Sequence, residues 1–353
     1  MTDWTTLQPH PGLTRVYLIL LTVIGVINLF TGLFAVFVVF YKSPANTRVY
    51  NALLLNILAW SLAACSFQAL LCQTDVYLPL ICISAQGIFR FLVFGDAAMS
   101  VVFCAILVIY ANILIAAFLP LKFRFLQLFY PKFVNNLSKW STTIYCVLCY
   151  IVMDALAVVI LVTALVPADH YRQQLSDFPK AQAILSQPLA CLSMERSVEL
   201  RPIGIGIAAI LFTSVLMFTL LALIRWLLRR QRLTLSEKTF KMQLTLTRNL
   251  TIITLIPVFF FFIPFAIFLA VVLVEESYSV YIVAVAELWM CVHDFLVSVA
   301  TLIIYKAYRD AVKGYLYRVC RLLRLPSCLR KQFETKVVLF PVTSRIVKSV
   351  IVN

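Results

Sequence analysis

Charged side chains are scarce in this sequence, and acidic ones are scarcest. Charged residues make up 13% of the 353 positions, with 30 Lys and Arg against 15 Asp and Glu, whereas 63% of the residues are hydrophobic. An ordinary soluble domain is about 25% charged and about 45–50% apolar. Together with a mean hydropathy of +0.97, this composition excludes a water-soluble fold and predicts an integral membrane protein.

Histidine and catalytic motifs are also lacking. The chain has 3 histidines, and it contains neither a G-x-S-x-G nor an H-E-x-x-H motif. One C-x-x-C string occurs at residues 146–149, but it lies inside an apolar run without a partner pair, which favours simple packing. We therefore expect no enzymatic activity, no bound metal and no cofactor.

Apolar runs of membrane-spanning length recur along the chain. A bilayer-spanning helix needs about 20 predominantly apolar residues, and seven such runs predict an all-α bundle of seven transmembrane helices within residues 16–305. The run at 83–119 is too long for one crossing, so we start the third span after Gly95, where Asp96 can cap a helix. Residues 72–95 then form an apolar segment in or on the outer membrane face. The predicted spans are 16–41, 52–71, 97–119, 141–166, 203–228, 249–274 and 279–304.

Lysine and arginine are distributed unevenly between the two sets of loops. Of the 30 basic residues, 24 lie in the alternate loops that share a side with the C-terminal tail. Because basic residues accumulate on the cytoplasmic side, we predict that residues 1–15 are extracellular and that the tail, 306–353, is cytoplasmic. The same rule accounts for the net charge of +15 without nucleic-acid binding. The N-terminal segment lacks the basic start of a signal peptide, so the first span is expected to direct insertion.

The start of the tail has a pattern of its own. Residues 305–324 read YKAYRDAVKGYLYRVCRLLR, with apolar residues at near-helical spacing between basic ones. This pattern predicts a basic amphipathic helix on the inner leaflet, with Cys320 and Cys328 as palmitoylation candidates. The alternative is an unmodified tail that is held only by anionic lipid.

Ionisable residues within the predicted bundle are candidates for function, because they are costly in a membrane. Glu287 and Asp294 are seven positions apart and so share a helix face. Such residues can line a ligand pocket, or they can be buried acids that hydrogen-bond neighbouring helices, which is the reading we favour for Asp154. A transporter or channel is an alternative function, although no internal repeat supports it. The candidate pocket residues are Asp96, Asp154, Glu287, His293 and Asp294.

Local strings around the sixth and seventh spans are more specific than this general plan. Segment 235–265, LSEKTFKMQLTLTRNLTIITLIPVFFFFIPF, contains S-x-x-T-x-x-M-Q, then I-P and a second proline. The seventh span and its exit read CVHDFLVSVATLIIYKAYRDAV, and the long outer loop contains VPAD and later CL. Through these strings, over about residues 35–315, the chain resembles the nematode serpentine chemoreceptors, class H of the str superfamily.

The resemblance implies a chemosensory G-protein-coupled receptor in the plasma membrane, in sensory-neuron cilia, with an odorant or pheromone as ligand and a heterotrimeric G protein as partner. Seven-helix receptors often tie the long outer loop to the outer end of the third span, which favours a disulfide from Cys191 to Cys82, with Cys72 as second choice. The family's acidic Glu-Asn-Arg string is absent, so a third-span arginine latch cannot be carried over, and a receptor without G-protein coupling is an alternative. The expected G-protein-facing residues are Arg229, Arg230, Lys238, Lys241, Tyr308 and Arg309.

Overall fold

The structure is a computed structural model of the full chain. The residues it describes are 11–43, 48–77, 81–131, 139–176, 185–192, 196–233, 235–272 and 279–322.

Seven helices in the described part of the chain are long and apolar enough to cross a membrane. The prediction of a seven-helix bundle is therefore confirmed. A helix satisfies its backbone hydrogen bonds internally, which lipid requires. We number the spans in chain order. Their helices are Pro11–Lys42, Arg48–Ser66, Asp96–Phe129, Lys139–Val162, Arg196–Arg230, Glu237–Pro257 and Ser279–Ile304.

The second and sixth spans continue through a wider, π-helical turn. In the second span this turn is Phe67–Cys72, and in the sixth it is Val258–Phe262, after which the helix resumes as Ile263–Val272. Pro257 and Pro264 flank the sixth-span turn, and each lacks the N–H that would bond to the preceding turn. Because a π turn accommodates such a break, it is a point at which the sixth span can bend.

The third span is longer than predicted. The sequence placed it at 97–119, but the helix runs from Asp96 to Phe129 with Pro120 inside it. A proline is tolerated in a membrane helix because neighbouring helices and local adjustments satisfy the freed backbone groups. The helix therefore carries Lys122 and Arg124, which the prediction had placed in a loop.

The sixth span also begins earlier than predicted. Its helix starts at Glu237 rather than at residue 249, directly after Ser236. The Ser236 hydroxyl accepts a hydrogen bond from the Thr239 N–H at 3.3 Å, which is the usual arrangement at a helix N-terminus. The fifth-span helix begins seven residues before its predicted start and the first-span helix five residues before, whereas the seventh begins and ends at the predicted positions.

The segment 72–95, which was predicted to lie in or on the outer membrane face, contains regular structure at one end of the bundle. It contributes two strands to a three-stranded antiparallel sheet in the order β1-β2-β3. Cys82 and Cys191 are opposite each other in this register and are joined by a disulfide. We call this end of the bundle the sheet end. The strands are β1 Thr74–Tyr77, β2 Cys82–Ala85 and β3 Ala190–Cys191.

A tail helix, Lys306–Leu322, follows the seventh span at the opposite end, which we call the tail end. Tyr308 anchors this helix, since its buried hydroxyl lies 2.9 Å from the Ser43 hydroxyl and donates to Asn51 Oδ1 at 3.2 Å. The helix thereby packs against the first and second spans. The palmitoylation candidates lie outside what the structure describes, Cys320 by its side chain and Cys328 entirely.

The spans pack unequally. The first span packs against the second and the seventh, and the third packs against the second, fourth, fifth and sixth. The fourth span packs mainly against the third. In its most apolar 18-residue stretch, only 6% of the residues are buried. Its outward side chains, among them Trp140 and Ile151, are those that lipid would cover.

Candidate functional site

A cavity of about 270 Å³ lies at the sheet end, between the first span, the seventh span and β1. It adjoins β1, one of the two edge strands of the sheet. Sites for drug-sized ligands span roughly 300–1,000 Å³, so a smaller organic molecule fits this space. The lining residues are Thr14, Arg15, Tyr17, Leu18, Thr74, Asp75, Val76, Tyr77, Gln86, Gln187, Val280, Tyr281, Val283, Ala284 and Glu287.

Glu287 is the buried acid of this cavity, with 4% of its surface exposed. Tyr17 of the first span donates a hydrogen bond to Glu287 Oε2. Thr74 of β1 donates to Glu287 Oε1 at 3.0 Å and accepts a hydrogen bond from Gln68 of the second span. One carboxylate therefore connects the first span, the seventh span and the sheet, so a change at Glu287 reaches all three.

Asp75 is the second acid of the cavity. Burial raises the pKa of its carboxyl from 3.8 to about 6, although a hydrogen bond with Gln86 opposes that shift. Gln86 also donates to Gln187 Oε1 at 2.9 Å, which joins the sheet to the long loop. The Asp75 carboxyl lies within electrostatic reach of Glu287 and of the Tyr17 hydroxyl. The cavity therefore has two neighbouring acids, one from a strand and one from a span.

Asp96, another predicted pocket residue, lies away from this cavity and anchors the long loop. Arg172, on the loop helix Ala168–Ser176, donates to both Asp96 oxygens at 2.6 and 2.7 Å. The Leu189 N–H, just before β3, donates to Asp96 Oδ1 at 2.9 Å. The Asp96 carboxylate raises the pKa of Arg172 above its ordinary value. Asp96 thus stabilises the loop and does not line this cavity, so its assignment to a ligand pocket stays a prediction.

Asp154 lies between the third and fourth spans, outside the cavity. It is partly exposed, and its carboxyl is beside the Asn112 side chain of the third span. Asp154 Oδ1 has no hydrogen-bond partner among the described residues, so the interhelical hydrogen bond expected for it stays a prediction.

His293 and Asp294 lie deeper in the bundle and do not line the cavity. The His293 ring packs 5.1 Å from the Phe261 ring, and His293 Nδ1 is 2.5 Å from the Met290 carbonyl oxygen. Asp294 is fully buried, and neither of its carboxylate oxygens has a hydrogen-bond partner among the described residues. A Cβ at Gly32 of the first span would lie 2.7 Å from Leu62 Cδ1 and 3.4 Å from Asp294 Oδ2, so the glycine leaves space mainly for Leu62.

Aromatic rings fill the bundle between the third and sixth spans. The Tyr110 ring packs edge-on against Phe261 at 5.0 Å and against Phe265 at 5.3 Å. Phe261 and Phe265 are themselves stacked at 5.9 Å. This cluster couples the third span to the bendable part of the sixth, because Phe261 lies within the π turn.

A buried arginine links the third and sixth spans near the tail end. Arg124 is fully buried, and its Nε and Nη2 donate to Thr247 Oγ1 at 3.1 and 3.0 Å. Its Nη2 also donates to the Gln243 carbonyl at 3.0 Å, and its Nη1 donates to Gln127 Oε1 at 2.9 Å. The structure thus contains a third-span arginine contact with the sixth span, although the family's usual string is absent. We call Arg124 with Thr247 and Gln243 the arginine contact.

The predicted G-protein-facing residues separate into exposed and buried ones. Tyr308 is 2% exposed and is held by Ser43 and Asn51, so it does not face outward as predicted. Lys241 also forms an exposed ion pair with Glu237 at 2.6 Å. The exposed members of the predicted set are Arg229, Arg230, Lys238, Lys241 and Arg309.

Sequence reasoning missed Arg124, Tyr17 and Asp75. Arg124 was missed because the third span was placed at 97–119, although the string LKFRFLQLF continues the apolar pattern beyond it. Tyr17 and Asp75 meet Glu287 only through contacts between residues more than two hundred positions apart. No local pattern in the sequence reports such contacts.

Residues 13–318 match the family model of the serpentine type 7TM GPCR chemoreceptor Srh. The match extends from the first span into the tail helix, and it includes the whole cavity and the arginine contact. It confirms the resemblance that the strings around the sixth and seventh spans indicated. The family is a class of receptors and not of enzymes. No curated protein shows significant similarity to the chain.

Proposed function

Because the chain belongs to the Srh family of serpentine seven-transmembrane chemoreceptors, we propose that it binds a small environmental molecule in the cavity beneath β1 and signals to a heterotrimeric G protein at the tail end. The cavity is the observation that carries this proposal. It is bounded by two spans and a strand that share one buried carboxylate, Glu287. A ligand that contacts Glu287 therefore acts on all three elements together.

The sheet end is proposed to face the outside. Two independent features support this orientation. The disulfide Cys82–Cys191 lies at the sheet end, and disulfides persist in oxidising, extracellular surroundings. Most of the basic residues lie in the loops and tail of the opposite end, as cytoplasmic segments do. The family supports placement in the plasma membrane, and we extend the proposal to sensory-neuron cilia.

The proposed signal passes from the cavity to the sixth span. Ligand binding favours whichever helix arrangement binds the ligand better. The seventh span carries both Glu287 and His293, and His293 packs on Phe261 in the sixth-span π turn. We propose that bending at this turn moves the tail-end half of the sixth span and breaks the arginine contact of Arg124 with Thr247.

A channel or transporter has less support. The region between the third, sixth and seventh spans is filled by the Tyr110, Phe261 and Phe265 rings. A transport route would need a polar path through the bundle. Packed rings inside the bundle and a cavity near one end of it favour a receptor.

The G-protein surface is proposed to include Lys238 and Lys241, which are exposed at the start of the sixth-span helix. The double variant Lys238→Glu/Lys241→Glu should abolish calcium responses to an odorant and pheromone panel in reporter cells while surface expression stays normal. Both side chains are exposed, and exposed ion pairs such as that of Lys241 contribute little to stability.

The matched control is Arg318→Glu/Arg321→Glu, which makes the same charge change on exposed positions of the tail helix. It should retain the response. Full signalling by the Lys238 and Lys241 variant would show that G-protein contact does not use this surface. A parent receptor that binds a ligand but evokes no second-messenger response in any G-protein background would instead favour a receptor without G-protein coupling.

A further inference from the structure

We infer that the cavity beneath β1 selects a small protonated amine, whose ammonium group lies between Asp75 and Glu287. This inference rests on the proposed function, because it names the class of ligand for the same site. Four observations lead to it: the charge of the lining, the lack of an internal partner for that charge, the aromatic walls and the size of the space.

The lining carries an excess of negative charge. Asp75 and Glu287 are its acids, and Arg15 is its one basic residue. Arg15 lies toward the start of the first span and is exposed, whereas Glu287 is buried. A ligand that enters therefore meets water-accessible positive charge at the opening and desolvated carboxyl groups further in.

Neither cavity acid forms an ion pair within the described residues. Asp96 provides the contrast, since Arg172 neutralises it at 2.6 Å. The partners of Asp75 and Glu287 are a side-chain amide and two hydroxyl groups. A carboxylate that is removed from water is stabilised far more by a nearby cation than by neutral donors alone. An ammonium group supplies that cation.

Tyrosine rings provide a second means of recognising a cation. Tyr17, Tyr77 and Tyr281 line the same cavity as the two acids, one each from the first span, β1 and the seventh span. The face of an aromatic ring attracts a cation, and the attraction strengthens when water is excluded. A ring-lined space with acids suits an ammonium group attached to a small apolar body.

The size of the cavity limits the rest of the ligand. A space of about 270 Å³ is below the usual range for drug-sized molecules. The apolar part of the lining comes from Leu18, Val76, Val280, Val283 and Ala284. An arylalkyl or branched alkyl amine therefore fits the space, and the neutral alcohol of the same shape fits it equally well without meeting the charge.

The experiment compares 2-phenylethylamine with 2-phenylethanol, and isopentylamine with isopentanol, on the full chain purified in lipid nanodiscs. Binding is measured as the ligand-dependent rise in Tm across a concentration series, which reports affinity for the folded receptor. At least one amine should bind about tenfold or more tightly than its alcohol. Asp75→Asn should remove that preference and leave the affinity for the alcohol unchanged.

Two further variants make the comparison sharper. Asp169→Asn makes the same change at an exposed position of the loop helix that does not line the cavity, and it should retain the preference for amines. Arg15→Gln removes the cation at the opening and should strengthen amine binding. If Asp75→Asn proves too unstable to purify, Arg15→Gln still tests the charge argument.

Equal stabilisation by amine and alcohol, or no binding of any amine in the set, would overturn the inference. So would an Asp75→Asn receptor that keeps the full preference. These results are separable from those for the proposed function. Amine binding without any cellular response would leave the ligand class intact and contradict G-protein signalling. A cellular response to neutral odorants alone would support G-protein signalling and contradict the amine as the ligand class.

Discussion

Thr247→Val tests the arginine contact most directly, because it removes one oxygen without changing the shape of the side chain. Thr247 Oγ1 accepts from both Arg124 Nε and Nη2, at 3.1 and 3.0 Å. In the variant, two donors of a fully buried guanidinium lose their acceptor while the Gln243 carbonyl stays in place. We call the arrangement with the arginine contact intact closed, and the proposed signalling arrangement, in which the contact is broken, open. Because the variant weakens only the closed arrangement, we expect it to signal without ligand.

The size of the effect follows from the kind of bond that is lost. A hydrogen bond to a charged group contributes roughly 1.5–3 kcal/mol, so the loss of the shared oxygen destabilises the closed arrangement by about 2 kcal/mol. Each 1.4 kcal/mol corresponds to about a tenfold change in an equilibrium constant, which makes the open-to-closed ratio rise about 30-fold. A receptor that is about 1% open at rest would then be about 20% open.

The assay is ligand-independent second-messenger output in reporter cells, normalised to the amount of receptor at the surface. Thr245→Val is the matched control, because Thr245 lies on the same helix but is exposed. Its hydroxyl donates to the Lys241 carbonyl within that helix and does not hydrogen-bond to Arg124. Amide exchange over 237–257 provides a readout that needs no G protein and should quicken only in Thr247→Val. Equal output and equal exchange in both variants would refute the reasoning.

Three other variants test the sheet end. Tyr17→Phe leaves Glu287 with one hydroxyl donor, which should cost about 1–3 kcal/mol and lower the Tm in nanodiscs. Asp96→Asn and Arg172→Gln should each lower the Tm. The double variant should lower the Tm no further than either single variant, because both single changes remove the same interaction, which is about 1 kcal/mol for a partly exposed pair. Amine affinity should fall about tenfold between about pH 7.5 and pH 5, because the pKa of Asp75 is about 6 and only its ionised form attracts an ammonium group.

Each of these predictions has its own control. Tyr281→Phe removes a hydroxyl from the same cavity at a position that is 41% exposed, and it should leave the Tm unchanged. In the pH series, Asp75→Asn shows whether the fall in affinity comes from Asp75 or from the other charged groups of the cavity, Glu287 and Arg15. An equal fall in affinity in the Asp75→Asn receptor would assign the pH dependence to another group. A double variant at Asp96 and Arg172 that loses the sum of the single losses would contradict their coupling.

The spans were predictable where one local rule decided them. The seventh span was placed at 279–304 from its apolar run, and the helix is Ser279–Ile304. The third span was predicted to end at residue 119, but its helix continues through Pro120, because neighbouring helices in a bundle support the backbone around a proline. The sheet was missed because β1 and β2 are only four residues each and β3 comes from a loop a hundred positions later.

The candidate site was predictable only in part, for a related reason. Glu287 was identified because an acid in an apolar helix is costly wherever it lies. Asp96 satisfied the same rule, but its role depends on Arg172, whose contact arises only in the folded protein. The sequence reports which residues carry charge, and the fold determines whether a charge is paired inside the protein or offered to a ligand.

The walls of the cavity come from the first and the last spans in the sequence. Tyr17 and Glu287 are 270 residues apart, so the site does not exist until the seventh span has been synthesised and inserted. During biogenesis, a nascent chain with six inserted spans cannot form this cavity, and a chain with all seven spans can. Because a compound that binds only the finished fold shifts the folding equilibrium toward it, a ligand for this cavity should also raise the yield of receptor that leaves the endoplasmic reticulum.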